Sequence, residues 1–249
     1  MSTHHTILCL SGAGLPAWIW DDVQQLLGGS DHVAVAARPT RIAGAGLRDY
    51  AEAALGSAPA GRFAVVAHSA GGVVGAEIAR LAPDRVSAFL AVTAVIPEPG
   101  GSFLSTVPAP NRWVLRAAMR FAGTRPPDAA IRRGLAYGLE NRTTDRIIAD
   151  FAPESAALYS DKVARRPWNV RRGYVFTEAD RELPMAMQRR SAQRLGPEWT
   201  NQLDTGHLPM IENPRALAGS ITEFLAADPD VDQTGHADQR PSGLRRRHD

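Results

Sequence analysis

The sequence predicts an α/β architecture: a mostly parallel central sheet of about six strands, flanked by helices and carrying a small helical cap. Three observations carry this. Short apolar runs alternate with helix-like segments along the chain, which calls for crossover connections. The apolar runs are continuous rather than alternating, as strands covered on both faces require. The chain has 249 residues, 44% of them hydrophobic and 22% charged, so it can bury a substantial core.

Residues 5–10 (HTILCL) form the first expected strand, stopped by the turn SGAG. Residues 18–27 place Trp18, Val23, Leu26 and Leu27 at helical spacing. A second strand is expected over 32–37, ended by Arg38-Pro39, and a helix over 47–55. The third strand spans 62–67, and the helix after it, 72–82, stops at Pro83. The fourth strand covers 86–96, the fifth 173–178 and the sixth 198–203, with helices expected over 184–195 and 216–227. Residues 97–170 break the rhythm. They are rich in proline turns and hold helix-like pieces at 112–122 and 128–139. The expected organisation is a core of 1–96 and 171–227, a helical insertion over the sheet's carboxyl edge at 97–170, and a disordered polar tail at 228–249.

The formal net charge is only +2, and Arg245, Arg246 and Arg247 read as a solvated end rather than a nucleic-acid grip. The single cysteine, Cys9, lies in an apolar run and reads as a core residue. No Cys/His cluster has zinc spacing, so neither metal nor cofactor is expected. With no leader-like N-terminus and no window of 18 apolar residues, the expected compartment is the cytoplasm, with neither membrane nor nucleic acid as partner.

One stretch carries chemistry. In VVAHSAGGVVG (65–75) a strand meets a helix through a turn of small residues around Ser69. Such a turn is so tight that bulk at positions 67 and 71 would strike backbone, and it projects the serine hydroxyl from the sheet's edge. A serine needs a base. Of seven histidines, His207 alone falls in a loop between the last expected strand and helix, where it can reach that edge; His68 abuts the serine. The base needs an orienting carboxylate. Asp180, just past the fifth strand, is preferred; Glu98 after the fourth is the main alternative, and Glu178 is expected to point aside. The N–H groups of Ala70 and Ala13 are the expected oxyanion donors, with Gly12 and Gly14 letting the backbone approach. A dinucleotide fingerprint would need glycine at position 17, which is Ala17.

Through SGAGLPAWIWDDV, VVAHSAGG and FTEADRELP…DTGHLPMIENP, the chain resembles the α/β-hydrolase superfamily over about residues 5–227. Within it, the likeness is to the branch of small methyl esterases and hydroxynitrile lyases. The resemblance implies a Ser69–His207–Asp180 triad, an oxyanion hole from Ala13 and Ala70, and a small cap over a mostly apolar pocket. The chain departs from that pattern at Ser11, where the branch carries a structural histidine. It also has Gly12 and Leu208 where the lyases tend to carry threonine and lysine, the hydroxyl and cation that handle a cyanohydrin. The expected function is therefore a serine hydrolase of a small, apolar ester or lactone. A lyase or acyltransferase on the same triad, and a non-catalytic ligand receptor, remain alternatives. Gly12, Trp113 and Leu208 are candidates for substrate contact. Trp113, Met119, Phe121, Tyr137 and Phe151 either line a pocket or form the cap's own core.

Overall fold

The computed structural model describes residues 5–29, 31–165 and 168–226. Arg166 and the expected tail at 228–249 lie outside the described residues.

The chain opens with strand β1 (Thr6–Leu10), a short 3-10 turn (Ala17–Trp20), helix α1 (Asp21–Leu27) and strand β2 (His32–Val35). Helix α2 (Leu47–Ser57), strand β3 (Phe63–His68), helix α3 (Gly71–Leu81) and strand β4 (Val86–Val92) follow. Among the described residues five helices then intervene: α4 (Phe103–Thr106), α5 (Asn111–Ala122), α6 (Asp128–Arg133), α7 (Asn141–Asp150) and α8 (Ala156–Ser160). Strand β5 (Arg171–Thr177), helix α9 (Met185–Leu195), strand β6 (Trp199–Leu203), helix α10 (Pro209–Glu212) and helix α11 (Pro214–Ala226) complete the order.

The six strands form one sheet in the order β2-β1-β3-β4-β5-β6, and every ladder is parallel. Successive residues on each strand bury on opposite faces. Ile7, Cys9, Ala64, Val66, Leu90 and Val92 pack with Val23 and Leu27 of α1 and Ile221 and Phe224 of α11. Leu8, Leu10, Phe63, Val65, Phe89 and Ala91 pack on the other face with α2, α3 and α9. Cys9 is fully buried in the first of these layers, and burial pushes its thiol pKa up, so it stays an inert core residue.

Several boundaries differ from the sequence expectation. The fourth strand ends at Val92 rather than 96, because Thr93 takes a positive φ of 37° and leaves the ladder. The first expected helix starts as a 3-10 turn and becomes α-helical only at Asp21. The helix expected over 128–139 ends at Arg133; Gly134 leaves helical geometry beside Glu182, whose carboxylate oxygen would meet any added Cβ at 2.3 Å.

The strand order sets where a site can form. The chain starts one strand in from an edge, runs to that edge with β2, and returns across β1 to β3. The loops after β1 and β3 therefore leave in opposite directions from adjacent strands, opening a crevice at their carboxyl ends. Ser11–Gly14 and Ser69 sit at those two ends.

Candidate active site

Ser69 follows β3 with φ +52°, the left-handed region that non-glycine residues rarely enter. The contacts that hold it there are local. The Ser69 N–H donates to the Val92 carbonyl at 3.3 Å, and its own carbonyl accepts from Val95 N–H at 2.9 Å. The glycines after it are required by space: a Cβ on Gly71 would lie 2.8 Å from the Leu10 carbonyl oxygen, and one on Gly72 2.6 Å from that of Val95.

The hydroxyl of Ser69 lies 3.0 Å from His207 Nε2, and His207 Nδ1 lies 2.8 Å from Asp180 Oδ2. His207 is only 2% exposed and Asp180 8%. Asp180 accepts further hydrogen bonds from the hydroxyls of Thr93 (2.7 Å) and Thr177 (3.1 Å) and from the N–H groups of Glu182 and Leu183, both at 2.8 Å. Burial pushes its pKa up, but the His207 ring beside it and these donors outweigh that and hold it at about 2. Burial likewise works against a charged His207, yet Asp180 raises its pKa above the ordinary 6.5. An ionised carboxylate thus fixes the His207 tautomer, with the proton on Nδ1 and the lone pair of Nε2 facing the serine. The other weighed carboxylates lie elsewhere. Glu98 is exposed and pairs with Arg194 at 3.2 Å, and Glu178 is exposed and accepts from Gln202 at 2.9 Å.

The turn after β1 comes against the serine. A Cβ on Gly12 would meet that of Ser69 at 2.9 Å. Gly14 takes φ +77°, and the Phe151 ring occupies the place of its missing side chain, 2.0 Å from a built Cβ. Ala13 lies between these glycines, and Ala70 caps the start of α3. Among the described residues neither N–H has a backbone or side-chain acceptor.

Four supports of this site have no signal in the sequence. His68 is fully buried, and burial together with the His207 ring lowers its pKa to about 3, so it stays neutral. Its Nδ1 accepts from Gly12 N–H at 3.3 Å, which places the proton on Nε2, 2.8 Å from the His207 carbonyl. His68 thereby ties the first turn to the histidine loop. Ser11, which stands where the resembling branch has histidine, accepts from Trp20 Nε1 at 3.0 Å. Gln188 of α9 holds the acid turn through Thr177 N–H (3.0 Å), Thr177 carbonyl (2.9 Å) and Leu183 carbonyl (2.8 Å).

The fourth support comes from the insertion. Glu154 is 6% exposed; its Oε1 accepts from Gly14 N–H at 2.9 Å and faces Arg38 Nε at 3.0 Å, and its Oε2 accepts from Tyr50 at 2.8 Å. Ala152 N–H donates to the Gly14 carbonyl at 3.0 Å. A cavity of about 280 Å³ opens behind this turn, lined by Ala13, Ala70, Leu15, Val74, Arg38 and Leu158 among others. Neither Ser69 nor His207 lines it; Ala13, from the turn after β1, and Ala70, next to the serine, both do.

The candidates for substrate contact separate. Gly12 stands against the serine. Leu208 is fully buried in the core beside α11, and Trp113 is 64% exposed on α5. Phe121 is 84% exposed, Tyr137 lies under the Arg181 guanidinium, and Met119 packs against the core. Trp20 is fully buried in the core, while Trp18 is half-buried against the same core and donates to Asp150 at 2.8 Å.

A hydroxyl, an imidazole and a carboxylate hydrogen-bonded in series at the switch point of a parallel sheet make a site suited to proton transfer from a nucleophile. The chain matches the alpha/beta hydrolase family over residues 7–220 and belongs to that family. It is 25% identical over 252 residues to norfluorocurarine synthase 2 from Strychnos, covering 88% of this chain and 94% of that one. Among solved structures, an extracellular alpha/beta-hydrolase from a Paenibacillus species superposes with a TM-score of 0.76 at 16% identity, covering 88% of this chain and 98% of that one. That enzyme is described as sharing homology with tobacco salicylic acid binding protein 2. A polyneuridine aldehyde esterase mutant gives 0.72 at 18% identity, covering 89% and 99%. The family and fold are those that the sequence motifs resemble.

Among the described residues no group of three or more His, Cys, Asp or Glu is arranged to hold a metal ion.

Proposed function

We propose that the protein is a serine hydrolase of small carboxylic esters or lactones, acting on a small apolar molecule through an acyl-enzyme. The observation that carries this reading is the unbroken chain Ser69 Oγ–His207–Asp180, at 3.0 and 2.8 Å. In it, His207 Nε2 takes the serine proton as Oγ attacks the substrate carbonyl. Asp180 stabilises the imidazolium without itself taking a proton. The Ala13 and Ala70 N–H groups receive the developing oxyanion, and the start of α3 adds its dipole. His207 then protonates the leaving alcohol, and water, activated by the same imidazole, releases the acid.

Residues 97–170 serve as the cap in this reading, and the cavity behind the oxyanion turn is the nearest space for an apolar part of the substrate. A cyanohydrin-cleaving role fits poorly, since Gly12 offers no hydroxyl and Leu208 is buried where a cation would be needed.

The test is hydrolysis of an activated short-chain aryl ester by wild type and Ser69→Ala. A loss on the order of 10³-fold or more in kcat/KM supports the reading. A wild type as inert as the variant, and unlabelled by a fluorophosphonate, sinks it. One relative is named a synthase, which favours a second reading in which His207 drives an elimination. Turnover in ¹⁸O water separates the two, because hydrolysis places solvent oxygen in the acid and elimination does not.

A further inference from the structure

Helix α5 carries an exposure that the fold leaves unexplained. Trp113, Val114 and Phe121 are 64%, 67% and 84% exposed, and they are three of the five large hydrophobic side chains exposed among the described residues. At 100° per residue, Trp113, Val114, Ala117 and Phe121 share the outward face, while Leu115 and Met119 turn inward against the core. Arg116 and Arg120, both exposed, run along one edge of that outward face. None of Arg112, Arg116 and Arg120 forms an ion pair among the described residues. Residues 103–127 contain four arginines and no Asp or Glu.

An exposed apolar stripe with a basic border and no acidic group fits a surface that is oily beneath and anionic on top. At 12 residues α5 is only about 18 Å long, and no helix among the described residues is long and apolar enough to cross a membrane. We propose that α5 docks the protein on an anionic lipid surface, with Trp113, Val114 and Phe121 at the headgroup boundary and Arg116 and Arg120 on lipid phosphates. A second copy is the weaker occupant, because pairing two such faces sets their basic borders together with no carboxylate in residues 103–127 to neutralise them. The sequence expectation of no membrane partner rested on the lack of a spanning segment, which has no bearing on a helix lying in the interface.

The experiment is co-sedimentation of the full chain with vesicles of phosphatidylcholine alone and of phosphatidylcholine with phosphatidylglycerol, at low and high salt. The expected result is binding to the anionic vesicles that weakens with salt. Val114→Asp/Phe121→Asp is expected to reduce it roughly tenfold or more, and Arg116→Gln and Arg120→Gln about fivefold each. These variants alter exposed side chains, and an unchanged thermal melt verifies their folding. They also leave Arg245–Arg247 in place, so binding that survives in them arises elsewhere and overturns the proposal. No vesicle binding, equal binding to phosphatidylcholine alone, or a solution dimer that Phe121→Asp dissolves overturns it as well.

Discussion

At the scale of single residues, the carboxylate of Asp180 governs the site. Five donors converge on its two oxygens, so it stays ionised although buried. Its depressed pKa makes a contribution to stability that is fully present above the ordinary carboxyl value of 3.8 and is lost as pH falls toward about 2. His207 shows the opposite sign. Its raised pKa means that the free base, the form that accepts the serine proton, disappears as pH falls through a value above 6.5. The acid limb of a kcat/KM–pH profile is therefore expected to inflect above 6.5. In Asp180→Asn that limb is expected to move downward, with kcat falling on the order of 10⁴-fold as the tautomer lock is lost. His68 is a separate case, since it serves two backbone groups and not the reacting atoms. His68→Phe leaves the Gly12 N–H and the His207 carbonyl unpaired. It is expected to cost about 1–3 kcal/mol in urea denaturation for each group so stranded.

At the scale of elements, the tight turns decide what is tolerated. Gly72→Val sets side-chain atoms against the Val95 carbonyl, where even a Cβ would sit at 2.6 Å. A destabilisation of about 1–3 kcal/mol is expected, measurable by thermal unfolding. This part of the site was legible in sequence, because the need for small residues is local: strand, elbow and helix lie within 19 consecutive residues, 63–81. The order of serine, acid and base along the chain was legible for a similar reason, since each follows a strand end. Glu154 was not. Its partners Gly14 and Tyr50 are 140 and 104 residues away, and nothing in the surrounding APES marks a buried carboxylate. Glu154→Gln is expected to lower kcat about tenfold with little change in KM, because it loosens the turn that carries Ala13 without touching the substrate. A fall in KM-dependent binding alone would assign Glu154 to the pocket instead.

At the scale of the whole molecule, alternation of apolar runs with helices gives six parallel strands, but not their order. The order depends on which side of β1 the third strand returns to, and sequence periodicity carries no such information. It is this return that creates the crevice where the turn after β1 faces Ser69. The insertion was equally opaque. Amphipathic spacing in α5 shows that one face is apolar, yet it cannot show that this face turns outward. Helix α7 carries only a weak sequence signal, because Thr144, Ile147 and Ile148 give it a narrow buried stripe.

The clamp of Phe151 and Glu154 on Gly14 bears on how such proteins diversify. A foreign insertion grafted between β4 and β5 to change specificity would bring its own lining, but also its own residues at these two positions. Without a carboxylate at 154, the Arg38 guanidinium and the Gly14 N–H lose their shared acceptor. Without an aromatic ring at 151, Gly14 faces a void. A chimera that keeps residues 151–155 of this chain retains both contacts, and that short strap is the natural seam for exchanging everything before it.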